Sequence, residues 1–276
     1  MVLCADSQET VGVMKFDAPK LVILPSNGSP DDRVRMMFAG AGDGPFIDKL
    51  VEKMWEAALR GPGMTNAAVF ERVEDANIEW HRRIWEAYGA GERPGAELLI
   101  VIYTHHEVTL YRSYGPIITQ VDDYAFVGIG GELGTFLAEH LNADSSSIEE
   151  DVSDAVYILD NVKKYVESCG GDTQLAALML DGRIHKMRPM DADSLAAGME
   201  GIAREIYYLF MLARSLGSRK ADIDRSAQST VREIHRYRAE MRKKVRERIK
   251  VSPRLERSVQ IRYEKIEWPP TREQPE

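Results

Sequence analysis

Met1-Val2-Leu3-Cys4-Ala5-Asp6-Ser7 reads as a buried strand that runs straight into an acidic turn. A second strand follows at Lys20-Leu21-Val22-Ile23-Leu24, and after it an apolar run that ends in small residues, Met36-Met37-Phe38-Ala39-Gly40-Ala41-Gly42-Asp43. Gly12 and Pro25-Ser26-Asn27-Gly28-Ser29-Pro30 supply the turns between these pieces. Strands are predicted over 1–6, 11–14, 20–26 and 33–39, and such short apolar runs separated by turn residues read as hairpins.

From Gly44 the period changes. Phe46, Ile47, Leu50, Val51, Met54, Trp55, Ala58 and Leu59 recur at steps of three and four, on one face of a helix that Gly61-Pro62-Gly63 ends. A second helix spans 65–88, with Val69, Val73, Ala76, Trp80, Ile84 and Ala87 as its stripe. Strand character returns at 97–103 and 107–112, joined by the turn Thr104-His105-His106, and a third piece covers 116–121. Tyr124-Ala125-Phe126-Val127 then leads to Gly128-Ile129-Gly130-Gly131, and helices over 132–141 and 148–167 flank the polar loop 142–147. A last hairpin, 174–180 and 183–186, turns at Asp181-Gly182, and a further helix runs from about 191 to 216.

Strands, two helices, strands, two helices, hairpin, helix is the order in which proteasome β-type subunits build the Ntn-hydrolase sandwich. The chain resembles that family over 1–190, and less specifically to 216. The resemblance rests on Ala5-Asp6-Ser7 after an apolar strand, Lys20-Leu21, Ala39-Gly40 with Gly42-Asp43, Gly128-Ile129-Gly130-Gly131 before a helix, and Ser168-Cys169-Gly170-Gly171 before the final hairpin. It implies an α+β fold, a four-layer αββα sandwich, over residues 1–217. The tail from Ser218 departs from the family core and reads as a basic helical extension over 218–276, whose end, from Trp268, is expected to be disordered. It further implies a threonine-type peptidase in which a Thr at the mature amino terminus attacks an amide. In the family that Thr sits on a strand just before the one at 1–6, so the nucleophile strand is expected upstream of Met1, with a misplaced start as its explanation. The alternative is a non-catalytic ring or scaffold subunit that keeps the fold for assembly.

The resemblance assigns Asp6 and Lys20 to the catalytic pair and Gly40 to the oxyanion donor. Each also has a purely structural reading. Asp6 suits a turn cap, Lys20 a solvated edge, and Gly40 a tight strand-to-helix turn. Cys169 stands at the position of a supporting Ser, and Ser168 and Asp172 are candidate substitutes for missing polar groups. Two positions depart from the pattern: Ile129 replaces a Ser between the glycines, and Val166 replaces an Asp ahead of the glycine pair.

Composition bounds the other classes. The chain has 276 residues, 44% of them hydrophobic and 29% charged, enough to bury a full core. The two cysteines, Cys4 and Cys169, are too few for a disulfide framework and lack metal-ligand spacing. No metal or cofactor is expected: His105-His106 lies in a turn and His81, His140, His185 and His235 are scattered. Gly40-Ala41-Gly42-Asp43-Gly44 resembles a phosphate-binding turn, but the strands come as hairpins without the strand–helix alternation of a dinucleotide fold. No apolar run reaches the ~18 residues that span a bilayer, so a cytoplasmic protein is expected.

Charge is uneven. Ser218 to Glu276 carries 17 Lys/Arg against 10 Asp/Glu, net +7, which from totals of 36 and 44 leaves 19 against 34, net −15, for residues 1–217. Ile223, Val231, Ile234, Met241, Val245 and Ile249 form an interrupted apolar stripe on this basic segment, with Tyr237 among its arginines. Packing on its own acidic body, or on the next subunit of a ring, is the expected role, ahead of a nucleic-acid contact. Expected partners are other copies in a ring or stacked rings, a peptide or unfolded-protein substrate and an ATPase unfoldase, with no nucleic acid and no membrane.

Overall fold

A computed structural model describes residues 1–11, 14–26, 33–60, 65–89, 91, 93–105, 107–141, 147–215 and 217–248, without the side chains of Val11 and 245–248. The elements in chain order are β1 (Val2–Asp6), β2 (Gln8–Val11), β3 (Met14–Asp17), β4 (Leu21–Leu24), β5 (Val34–Gly42), α1 (Gly44–Ala58), α2 (Asn66–Tyr88), β6 (Ala96–Thr104), β7 (Glu107–Tyr114) and β8 (Ile117–Val121). Then come α3 (Gly131–Leu141), α4 (Ile148–Tyr165), β9 (Thr173–Leu178), β10 (Ile184–Met187), α5 (Pro189–Arg214) and α6 (Lys220–Arg248).

The layers follow from how the strands alternate. In β5 and β6, Met36, Phe38, Leu98, Ile100 and Ile102 point to one side and pack with Phe46, Leu50, Met54, Val69 and Val73 of α1 and α2. Met37, Ala39, Leu99, Val101 and Tyr103 point to the other side and meet Leu3, Ala176 and Leu178 of the second sheet. Successive side chains of a strand face opposite ways, so a strand buried on both faces reads as a continuous apolar run. That is what 98–102 shows. The five-stranded antiparallel sheet has the order β4-β5-β6-β7-β8 and the three-stranded one β1-β9-β10. On the outer face of the latter, Leu175, Ala177, Val152, Val156, Leu195 and Ala196 form a third cluster, so helices cover both outsides. The expected α+β four-layer αββα sandwich is the observed fold.

Side chains close the helix starts. Asp43 accepts from the Phe46 N–H, Thr65 from Ala68 and Ser147 from Glu150, each satisfying a donor that the first turn leaves without a partner. The expectation of one strand at 11–14 is corrected. Instead, β2 and β3 form a separate hairpin, Gln8 opposite Asp17 and Val11 opposite Met14, whose second strand is exposed throughout, Met14 and Phe16 included. The expected strand ends at Leu24, and helix α4 stops at Tyr165 rather than 167. His106, the loop 142–146, the breaker at 61–63, and everything from Ile249, including Val251, Trp268 and the end expected to be disordered, lie outside the described residues.

Helix α6 runs back along α5. Tyr237 and Met241 enter the cluster formed by α4, α5 and β9, and the Tyr237 hydroxyl shares a 2.6 Å hydrogen bond with Ser153. Phe38 tests the outer core directly, since it is 1% exposed among the side chains of α1 and α2. Phe38→Ala should lower unfolding free energy by about 3–5 kcal/mol in a urea melt, whereas Met14→Ala, at a residue 64% exposed, should leave it within about 0.5 kcal/mol.

Candidate active site

Strand β1 is paired on one side only. Its register with β9 runs from Val2 opposite Ala177 to Asp6 opposite Thr173, and among the described residues it is an edge of its sheet. Met1 and Leu178 exchange backbone bonds, Met1 N to Leu178 O at 3.3 Å and Leu178 N to Met1 O at 2.9 Å. Bonded pairs alternate in an antiparallel ladder, so Leu3 and Ala5 bond to β9 while the amides of Val2, Cys4 and Asp6 point the other way.

They point into a groove. A cavity of about 440 Å³ is lined by Met1 to Asp6 on one wall, by Ala39 to Ala41 and Asp122 to Gly131 on others, and by α4 from Asp151 to Val162. That volume is within the range of small-ligand clefts. Lys20, Gly40, Ser168 and Cys169 line it with Asp6. Five of the six residues marked by sequence are therefore brought together.

Asp6 joins three segments. Its Oδ1 is 2.8 Å from Lys20 Nζ and its Oδ2 accepts the Gly170 N–H at 2.9 Å. With side chains 23% and 12% exposed, Lys20 and Asp6 form a largely buried pair whose carboxylate is anchored by backbone as well. Gly40 stands in β5 one residue beyond the last pairing with β4, Ala39 opposite Leu21, where the strand opens onto the groove. A Cβ at Gly40 would meet Leu98 and Ile47 at 2.9 and 3.0 Å, so close packing under α1 also requires glycine there.

Asp172 stands apart from the groove lining. Its backbone N–H donates to Ser7 Oγ at 2.7 Å, and Ser7 Oγ in turn donates to Asp17 at 2.6 Å. The glycine before it, Gly171, has a φ of 68°, and a Cβ there would collide with Ser7 and Asp17. Gln174 is the residue that sequence reasoning missed. Its Oε1 accepts from the N–H groups of Lys20 and Leu21, both at 3.0 Å, and its Nε2 donates to Ala18 O at 2.8 Å. It holds the segment carrying Lys20 against β9 across 154 residues of sequence, and no local pattern marks it.

The two thiols differ. Burial pushes Cys4 up to about 12, with the Asp6 carboxylate adding to the rise and Lys163 opposing it. Cys169 is also raised, first by burial and then by Asp6, against Lys20 and an N–H donated by Gly130. Both thiols stay protonated at neutral pH, which suits neither to nucleophilic attack. Of the departing positions, Ile129 is 71% exposed at the groove rim and Val166 caps α4 among apolar neighbours.

The comparisons bear on this geometry. No family model matches the chain, and neither does any curated protein. Solved structures do match. Anbu (ancestral beta-subunit) from Yersinia bercovieri aligns with a TM-score of 0.63 at 14% identity, over 79% of this chain and 94% of that one. Anbu from Hyphomicrobium sp. strain MC1 gives 0.58 at 14%, over 75% and 92%. The helical assembly of the Anbu complex from Pseudomonas aeruginosa gives 0.58 at 15%, over 80% and 94%. The fold is the proteasome-like Ntn fold that the Anbu proteins share. The expectation of a proteasome β-type subunit is thereby corrected. The matching structures are ancestral beta-subunit proteins, and at 14–15% identity what they share with this chain is the fold. Among the described residues no helix is long and apolar enough to cross a membrane, and no cluster of His, Cys, Asp and Glu has the geometry to hold a metal ion.

The α4 wall of the groove is acidic. Asp154 is pushed up to about 6, first by burial and then by Asp151 and Glu150. A carboxyl held above its unfolded value stabilises the fold while protonated, so stability should fall as pH rises from about 4 through about 6. Asp154→Asn should remove that fall, raising the melting temperature at pH 7.5 relative to wild type and not at pH 4, as thermal melts at the two pH values would show.

Proposed function

We propose that the groove is the cleft of a proteasome-like amide hydrolase. In this reading an extended segment N-terminal to β1 pairs with the strand's free edge and carries a Thr, Ser or Cys at its own amino terminus. The observation that carries it is the Asp6–Lys20 pair, an ammonium held at 2.8 Å from an anchored carboxylate in the groove beside that edge. An α-amino group with a pKa of about 8 takes the nucleophile's proton at neutral pH. The nucleophile then bonds to the amide carbon, and the Lys20 ammonium favours the negative charge that develops. The backbone at Gly40 approaches the same space and serves as the oxyanion donor. The C–N bond breaks as the proton passes to the leaving amine, and water then releases the acyl group. Ser168 and Cys169 line the cleft as supporting groups, and Asp172 acts through Ser7.

An extended peptide or an unfolded protein is the substrate this chemistry implies. Self-association into a ring or stacked rings, an ATPase unfoldase as partner and a cytoplasmic location complete the proposal. The helical assembly of the Pseudomonas aeruginosa protein supports the first of these. A non-catalytic scaffold subunit is the second reading. What favours it is that Ile129 and Val166 put apolar side chains where active relatives of the resembled family carry polar ones, and that Cys169 is kept neutral.

The 276-residue polypeptide alone should not hydrolyse peptides, because neither Met1 nor Val2 carries the hydroxyl or thiol that this mechanism uses. Protein purified from its native source should cleave fluorogenic peptides. There Lys20→Ala should reduce kcat/KM by about 100-fold or more, and it should also lower the melting temperature, because it leaves the Asp6 carboxylate with the Gly170 N–H alone. Native protein that is inactive and has the mass of the 276-residue chain would leave the scaffold reading standing.

A further inference from the structure

The second half of α5 is apolar nearly all round, yet it is exposed. Its buried residues, Asp191, Ala192, Leu195 and Ala196, all belong to the first two turns. Beyond them Ile206-Tyr207-Tyr208-Leu209-Phe210-Met211-Leu212 is an unbroken apolar run. Ile206 is 51% exposed, Tyr207 64%, Tyr208 57%, Phe210 54% and Met211 44%. A helix that is hydrophobic on every side is one that something covers.

Helix α6 covers one side only. Tyr237 packs on Gly198 and Glu240 bonds Ser194, so the two helices run antiparallel and the face of α5 through Gly198, Ile202, Leu209 and Leu212 is the one turned toward α6. The exposed face lies opposite. Along it Glu200, Tyr207 and Arg214 recur at seven-residue steps, which keeps them on one side of the helix. The Arg214 guanidinium lies 5.5 Å over the Phe210 ring and so borders the apolar surface.

We infer that this face of α5 is a two-fold interface with a second copy of the same chain, the two α5 helices packing antiparallel about Tyr207. Spacing makes the face self-complementary. Glu200 and Arg214 are equally far from Tyr207 on either side, so a two-fold axis there sets each Arg214 beside the second copy's Glu200, a half-exposed carboxylate that within its own chain also holds Lys164 at 3.0 Å and Arg204 at 3.6 Å. The composition of the patch, aromatic residues, Met and bordering Arg, is that of interface cores. Its size also fits. Three aromatic rings and two long aliphatic side chains, each about half exposed, offer on the order of 500 Å² per copy, more than half of the ~800 Å² that one partner gives to a standard interface.

This inference deepens the self-association reading and rests on it, but not on any catalytic role for the groove. The test uses the full chain. Light scattering at micromolar concentration should give a dimer or a multiple of it, and Phe210→Glu should reduce the particle to half that mass or less with an unchanged melting temperature. Tyr207→Cys should form a disulfide-linked dimer under mild oxidation, reversed by reductant, while Ile78→Cys, on the exposed face of α2, should not. A monomeric wild type would overturn both the interface and the self-association reading. An assembled wild type that Phe210→Glu leaves intact and Tyr207→Cys fails to cross-link would overturn the interface alone.

Discussion

The Asp6 carboxylate ties together segments that are distant in the chain. One oxygen holds the Lys20 ammonium and the other the Gly170 N–H, so the end of β1, the lead into β4 and the turn into β9 are fixed to one another. A charged group this deeply set is stable only with partners on both oxygens. The same bonds that satisfy Asp6 also place an ammonium in the groove. Structure and candidate chemistry therefore rest on the same few contacts.

The groove itself follows from a backbone constraint. Strand β1 packs between Leu3 and Ala5 facing the other sheet and Val2 and Cys4 facing the helices, so its side chains are accommodated on both faces. Its backbone is satisfied on one edge by β9. The other edge presents N–H and C=O groups to a cleft bounded by α4 and the 122–131 segment. An edge of that kind is a template for an extended chain. Gln174 and Ser7 reinforce it by holding the segments around β1 in register, and the acidic wall at Asp151 and Asp154 gives the cleft its charge.

Much of the fold was legible because its elements obey simple periods. The stripe from Phe46 to Ala58 and the double-sided apolar run from 98 to 102 each admit one reading, and both lie where the layers require. The β2–β3 hairpin was not legible, since 8–11 and 14–17 make strands by pairing with each other, and the side chains of 14–17 bury no face. Asp6 and Lys20 were marked by spacing within a resembled pattern. Gln174 could not be, because it contacts Lys20 across most of the chain. In sequence the run on α5 is only part of a helix expected over about 191 to 216, and its exposure is visible only once the helices around it are in place.

Single-residue amide exchange along β1 tests most directly whether its outer edge is open to the groove. The alternation of bonded pairs with β9 predicts slow exchange at Leu3 and Ala5 and fast exchange at Cys4 and Asp6, whose amides point into the cleft. Uniform protection from Val2 to Asp6 in the 276-residue polypeptide would mean that this chain itself already covers the edge, and it would contradict a nucleophile-bearing segment paired there.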